Sequence, residues 1–332
     1  MKRGLVLGKF LPLHKGHLAL IDFAARRCQQ LYVVICYTFS EPIPGTVRKQ
    51  WLIDELNDYP SITVVAFEYN DQVLPNTSIS SRDVSEKWAK AMNFLVGSID
   101  IVFSSEAYGD YLAEYLNCVH LPFDMKRNAF PVAGSEIIKE PFRFWDAIPE
   151  RVRPWFIKKV GIVGSESTGK STLAETLALH YKTNFVPEMA RSIIDKTTDV
   201  TFSDLTKIAL VHAETIREKM AVANKLLFID TDINITKSYA SFLFSKKLIV
   251  PTWVEEANLC DLYLFLETDC EYVQDGTRLS IVNRELLSKC HRKQLSNAGI
   301  TPIVLTGNWR KRTSDAITII ESSFPFINQF SK

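Results

Sequence analysis

The string Gly164-Ser165-Glu166-Ser167-Thr168-Gly169-Lys170-Ser171 fits G-x-x-x-x-G-K-[ST] at every fixed position. A loop of this kind wraps phosphate oxygens in backbone N–H groups, aims a lysine at the β- and γ-phosphates and sets a hydroxyl on magnesium. Lys170 is the expected phosphate contact and Ser171 the expected magnesium contact, with Thr172 following at the helix start. Magnesium also needs a carboxylate. An apolar run at 225–229 leads into Asp230-Thr231-Asp232. Asp230 is expected on the metal, with Asp232 beside it for metal or substrate. In Pro187-Glu188-Met189-Ala190-Arg191, Glu188 is placed to hold or deprotonate a substrate hydroxyl and Arg191 to pair with a moving phosphoryl group. Gln274-Asp275-Gly276-Thr277-Arg278 and then Arg284 form a polar, arginine-bearing stretch of the kind that closes over ATP as a lid. Gly307-Asn308-Trp309 is expected to flank the adenine.

A second string carries different chemistry. Gly8-Lys9-Phe10-Leu11-Pro12-Leu13-His14-Lys15-Gly16-His17 puts two imidazoles three residues apart, where one helix turn faces them the same way. Gly8 lets the backbone approach a phosphate. Lys9 and Lys15 add positive charge, Phe10 belongs to the same string, and free N–H groups at a helix start add an anion site. His14 and His17 are therefore expected to donate hydrogen bonds to phosphate oxygens as charge builds on them.

The elements that must hold these strings alternate. Residues 5–7, 31–37, 62–67 and 99–103 read as strands, and 18–27, 45–57 and 84–95 as helices. A second series starts with a strand at 158–163, a helix at 171–181 and further strands at 225–229, 262–266 and 301–305. Such alternation predicts helix-covered parallel sheets. Both phosphate strings lie where a strand runs into a helix, the place where open parallel sheets bind nucleotides. Residues 141–154 carry three prolines and read as an ordered connector. The expected domains are 1–155 and 156–332.

Composition narrows the function class. Lys and Arg total 39 against 38 Asp and Glu, so no basic excess points to nucleic acid or a membrane surface. The six cysteines form no C-x-x-C pair, which favours free thiols in a reducing cytoplasm. No run of 18 apolar residues suggests a membrane span.

The histidine string resembles the signature of the adenylyl- and cytidylyltransferase superfamily. The resemblance implies that both histidines grip the triphosphate of ATP while an acceptor phosphate attacks the α-phosphorus. That family's second motif is a Ser/Thr-rich turn ending in arginine. Its counterpart here is Pro131-Val132-Ala133-Gly134-Ser135-Glu136-Ile137-Ile138-Lys139, with Ser135 as a further ATP contact. Ile138 stands where the arginine is expected, and Lys139 follows it. The connector Trp145-Asp146-Ala147-Ile148-Pro149-Glu150-Arg151-Val152-Arg153-Pro154-Trp155-Phe156 joins this half to the glycine-rich loop. The order of parts, together with Pro42-Ile43-Pro44-Gly45 before Arg48 and Ser104-Ser105-Glu106-Ala107-Tyr108-Gly109, is similar to the NadR-type family. The resemblance runs over nearly the whole chain. It implies a Rossmann-like nucleotidyltransferase domain followed by a P-loop kinase domain, using ATP and magnesium. It implies phosphorylation of nicotinamide riboside to the mononucleotide, then adenylylation to NAD. Some family members add a DNA-binding domain before the first strand. This chain begins at that strand, so no nucleic-acid partner is expected, while a homo-oligomer stays open. Ile138 also supports an alternative, in which the first domain binds nucleotide and regulates an active kinase. Tyr239, Trp253 and Trp88 are aromatics that either stack on nicotinamide or pack the core.

Overall fold

The computed structural model describes residues 1–75, 81–194, 200–273, 278, 280–325 and 327. They fall into two compact units, Met1–Arg153 and Pro154–Lys332.

In the first unit β1 (Arg3–Gly8) leads through the histidine string into α1 (Lys15–Ala25). Then come β2 (Gln30–Tyr37), α2 (Gly45–Glu55), β3 (Ile62–Glu68), α3 (Arg82–Val96), β4 (Ile101–Ser104), α4 (Tyr108–Leu116), β5 (Val119–Pro122) and α5 (Gly134–Lys139). All five strands are parallel, in the order β3-β2-β1-β4-β5. The continuous apolar runs of β1 and β2 follow from burial on both faces. Leu5, Val34 and Val102 pack from the sheet against Trp88, Met92 and Val96 of α3.

The second unit opens with β6 (Lys158–Gly164) and α6 (Lys170–His180). It continues with β7 (Asn184–Val186), α7 (Ala190–Ile193), α8 (Phe202–Val222), β8 (Leu226–Asp230), α9 (Ile233–Phe244), α10 (Thr252–Asn258), β9 (Leu262–Leu266), α11 (Ile281–Asn297), β10 (Ile303–Leu305) and α12 (Trp309–Ser323). These strands are also all parallel, in the order β10-β9-β6-β8-β7. Local chemistry sets the helix starts. Thr201 and Asp204 form a reciprocal capping box on α8, and Asn308 accepts the Lys311 N–H at 3.0 Å on α12.

In each sheet the first strand lies in the interior, and the chain winds away from it in both directions. β1 sits between β2 and β4, and β6 sits between β8 and β9. The carboxyl end of each first strand is thus a topological switch point, where crossovers diverge and leave a crevice. Both phosphate strings begin there. Among the described residues no helix is long and apolar enough to cross a membrane.

Candidate active sites

In the second unit a cavity of about 540 Å³ opens over the loop after β6. Glu166, Ser167, Thr168, Gly169, Lys170, Ser171 and Thr172 line it. Gly164 and Ser165 do not, and their part is to shape the loop. Gly164 has φ +145°, and a Cβ there would lie 2.7 Å from the Leu266 carbonyl oxygen. The Ser165 carbonyl accepts Thr168 Oγ1–H at 2.8 Å and the Lys170 ammonium at 3.0 Å. That last bond holds a buried cation at the cradle without neutralising it.

Two buried arginines brace the loop from outside. Arg312 donates to the carbonyls of Thr168, Gly307 and Glu267, each at 2.9 Å, and forms an ion pair with Asp269. Arg284 donates to the carbonyls of Glu166 at 3.0 Å and Ser167 at 3.3 Å. Arg284 is therefore not a lid arginine: it is 3% exposed and committed to backbone oxygens. Replacing Arg312 with alanine would orphan buried acceptors. The expected cost is on the order of 3 kcal/mol, read as a fall of about 10 °C in the unfolding midpoint of the second unit. Arg312→Lys is expected to recover only part, because an ammonium cannot copy the fork.

Asp230 ends β8, is 1% exposed and keeps Oδ2 without a partner. Burial, and then the charge of Glu188, push its carboxyl up to about 6, against the pull of Lys170 and a hydrogen bond from Ser171. Asp230, Glu188, Lys170 and Ser171 are thus brought together. Asp232 is not among them, and neither aspartate lines the cavity, although Thr231 between them does. It is fully buried as the N-cap of α9, accepting the Ile235 N–H at 3.1 Å and the Asn234 side-chain amide at 2.7 Å. The Asp-x-Asp spacing read as metal or substrate chemistry is helix capping at its second position.

Glu188 and Arg278 line the cavity, Arg278 donating to the Val273 carbonyl. Arg191 lies in α7 and its side chain is outside the described residues, as are 274–277 of the expected lid. Tyr239 lines the cavity and its hydroxyl donates to Glu166 at 3.1 Å. Trp253 packs instead with the core of α8, α9 and α10. Trp88 is also core, with its indole N–H on the Pro75 carbonyl and its ring edge on Tyr69. Trp309 lies 3.2 Å from where a Gly169 Cβ would stand.

Sequence reasoning missed His212. It is buried in α8, lines the cavity and leaves Nε2 without a partner. Its only sequence signal was a histidine on the apolar face of a helix. Burial pushes it down to about 4, while His291 falls to about 3 for the same reason. Each neutral imidazole contributes its full stability above the unfolded value of about 6.5, and that contribution is lost as pH falls from there to the folded value. Between pH 6.5 and 4 each histidine is expected to cost the second unit roughly 3 kcal/mol. Asp230 offsets this in part, because its folded value of about 6 makes it a stabilising proton acceptor over the same range. Denaturant titration should show a net fall in stability that His212→Asn reduces.

In the first unit a cavity of about 530 Å³ opens where β1 meets α1. Gly8, Lys9, Phe10, His14, His17 and Ser135 all line it, and Lys15 does not. The two imidazoles stack with centroids 3.6 Å apart, and Phe10 sets its ring edgewise on His17 at 5.0 Å. The His14 backbone N–H donates to His17 Nδ1 at 3.3 Å, which leaves the His17 proton on Nε2. Burial lowers both imidazoles, His14 to about 4 and His17 well below its ordinary value; the charge of His14 adds to the shift of His17, and the Arg127 guanidinium adds to both. Gly134 lets the second turn close on the first: a Cβ there would lie 2.4 Å from the Leu11 carbonyl oxygen.

A family model described as an AAA domain matches residues 159–312. The trifunctional NAD biosynthesis/regulator protein NadR of Salmonella typhimurium is 31% identical over 296 residues, 83% of this chain and 71% of that protein. Its Escherichia coli counterpart is 30% identical over 315 residues, 89% of this chain and 74% of that one. The chain belongs to the NadR family. A crystal structure of a NadR protein in complex with NR superposes with TM-score 0.80 at 21% identity, covering 97% of this chain and 96% of that one. One in complex with NAD and AMP-PNP gives 0.79, covering 98% and 96%. The NadR fold is thus present in both halves, a Rossmann-like nucleotidyltransferase sheet followed by a P-loop kinase sheet. In this NadR-family chain Ile138 and Lys139 line the first cavity beside Ser135, so no arginine reaches it from α5.

Proposed function

We propose that this chain makes NAD with two molecules of ATP, residues 156–332 phosphorylating nicotinamide riboside and residues 1–155 adenylylating the resulting mononucleotide. The observation that carries this reading is the pair of phosphate cradles, each at the switch point of its own parallel sheet, one built on paired imidazoles and one on a looped lysine. Membership of the NadR family and the fold shared with NadR structures holding NR, NAD and AMP-PNP support it.

In the kinase half the riboside 5′-oxygen attacks the γ-phosphorus as its proton passes to Glu188. The bond to the β-γ bridging oxygen breaks and ADP leaves. Lys170 and the loop N–H groups take up the charge on the transferred group. Arg278, which lines the same cavity, and Arg191, assigned on its sequence motif alone, complete the proposed phosphoryl contacts. Ser171 and Asp230 fit a magnesium ion, since a buried carboxylate oxygen with no partner stands beside a hydroxyl. When bound, that ion would neutralise phosphate charge. The apolar wall of Ile194, Val200, Leu205 and Ile208 suits a flat base.

In the transferase half the mononucleotide phosphate attacks the α-phosphorus and pyrophosphate leaves. No side chain becomes covalently bonded. His14, His17 and Lys9 stabilise charge on the departing oxygens. Free cysteines and the need for ATP fit a cytoplasmic location.

Ile138 favours a second reading, in which the first domain binds mononucleotide or NAD and regulates the kinase. The test is incubation of the purified chain with ATP, magnesium and a panel of ribosides and mononucleotides, with product masses read out. Nicotinamide mononucleotide from the riboside and NAD plus pyrophosphate from the mononucleotide are expected. Kinase product without any pyrophosphate would leave the regulatory reading standing. Neither product would overturn both.

A further inference from the structure

We propose that Arg127 grips the triphosphate of ATP in the first cavity and takes the place of the arginine missing at Ile138. This assignment deepens the transferase reading and rests on it.

The turn that carries Arg127 is built with care and placed on the histidine string. It follows β5, and both Asp124 and Arg127 adopt left-handed backbone, with φ +43° and +53°. Such residues cost on the order of 1 kcal/mol each, so something must hold them. The Asp124 carboxylate does: it accepts the backbone N–H groups of Asn128 at 2.8 Å, Ala129 at 3.1 Å and Phe130 at 3.2 Å. The Asp124 carbonyl accepts the Arg127 N–H at 2.8 Å. The end of this turn presses on the first turn of α1, between the two histidines. A Cβ on Gly16 would come within 3.2 Å of Phe130 Cβ, tighter than an ordinary contact. Strained backbone held this firmly serves to aim a side chain.

Arg127 lines the same cavity as His14, His17 and Ser135. Its charge reaches both imidazoles, which lowers their proton affinity. Its ion pair with Glu106 is weakly held: the two lie 3.4 Å apart, and the side chains are 46% and 50% exposed. A pair so exposed is worth at most about 1 kcal/mol, so a polyphosphate can draw the guanidinium away. The planar fork then offers two parallel donors to phosphate oxygens, which a lysine cannot. Lys139 is the rival cation. It lines the same cavity from the end of α5, but an ammonium is a point charge and offers no planar fork to two phosphate oxygens.

The experiment measures pyrophosphate release from nicotinamide mononucleotide and ATP. Arg127→Ala is expected to lower kcat/KM for ATP about 100-fold while KM for the mononucleotide stays within about twofold. Arg127→Lys is expected to keep roughly a tenth of wild-type kcat/KM for ATP. Adding Ile138→Arg to Arg127→Ala is expected to restore at least about tenfold, because it returns a fork to the same cavity from the other turn. Arg127→Gln, which keeps the stem and a polar head, guards against a folding defect in the alanine variant. If the alanine and glutamine variants both stay within about threefold of wild type while His17→Ala is inactive, the Arg127 assignment is overturned and the transferase reading stands. If wild-type protein releases no pyrophosphate at all, both fall together.

Discussion

Lys170→Ala is expected to lower riboside phosphorylation about 10³-fold or more, equivalent to about 4 kcal/mol of barrier, and to leave pyrophosphate release from mononucleotide and ATP within about twofold. The size follows from where the ammonium sits. It is 8% exposed, at the mouth of a loop whose other donors are backbone N–H groups. Its hydrogen-bond partner is a neutral carbonyl, and among the described residues no carboxylate is bonded to it directly, so the ammonium can turn to the γ-phosphate without breaking an ion pair. Buried as it is, that charge is screened less than it would be in open water. Lys170→Met keeps most of the packing and loses the charge, and the same loss is expected of it. ADP release on a riboside and pyrophosphate release on a mononucleotide, measured on one preparation, separate the two activities. Loss of both from a folded Lys170→Met chain would mean that the second cavity serves both reactions.

The two cradles were legible in the sequence because each is local. A phosphate loop needs its glycines, its lysine and its hydroxyl within eight residues, and the strand and helix that frame it show their periods on either side. The same holds for the histidines, which meet because they are one helical turn apart. What could not be read is what comes from afar. Arg312 reaches the Thr168 carbonyl across 144 residues and Arg284 reaches Glu166 across 118. In sequence each is one more basic residue in a polar helix, and Arg284 was read as part of a mobile lid. Its burial follows from the register of α11 against the loop, which no local pattern encodes. Asp232 shows the opposite error, where a suggestive spacing concealed an ordinary N-cap. Arg127 escaped because its meaning depends on two left-handed residues and on contact with Gly16, neither visible in a string of letters.

His17→Ala is expected to lower pyrophosphate release from mononucleotide and ATP by about 10² to 10³-fold while riboside phosphorylation stays within about twofold. Two effects combine. The variant loses a donor whose tautomer is fixed, since the His14 N–H occupies Nδ1 and leaves the Nε2 proton for phosphate. It also removes the ring that stacks on His14 at 3.6 Å, so the remaining imidazole loses its orientation. His17→Asn separates the two, because its amide can donate but cannot stack, and activity between the alanine variant and wild type is expected. The loss should fall on kcat and on kcat/KM for ATP alike, since the charge on the bridging oxygen exists only as pyrophosphate departs. A mononucleotide KM that rises tenfold with kcat unchanged would place His17 on the acceptor instead, and the assignment of the triphosphate to the paired imidazoles would have to be given up.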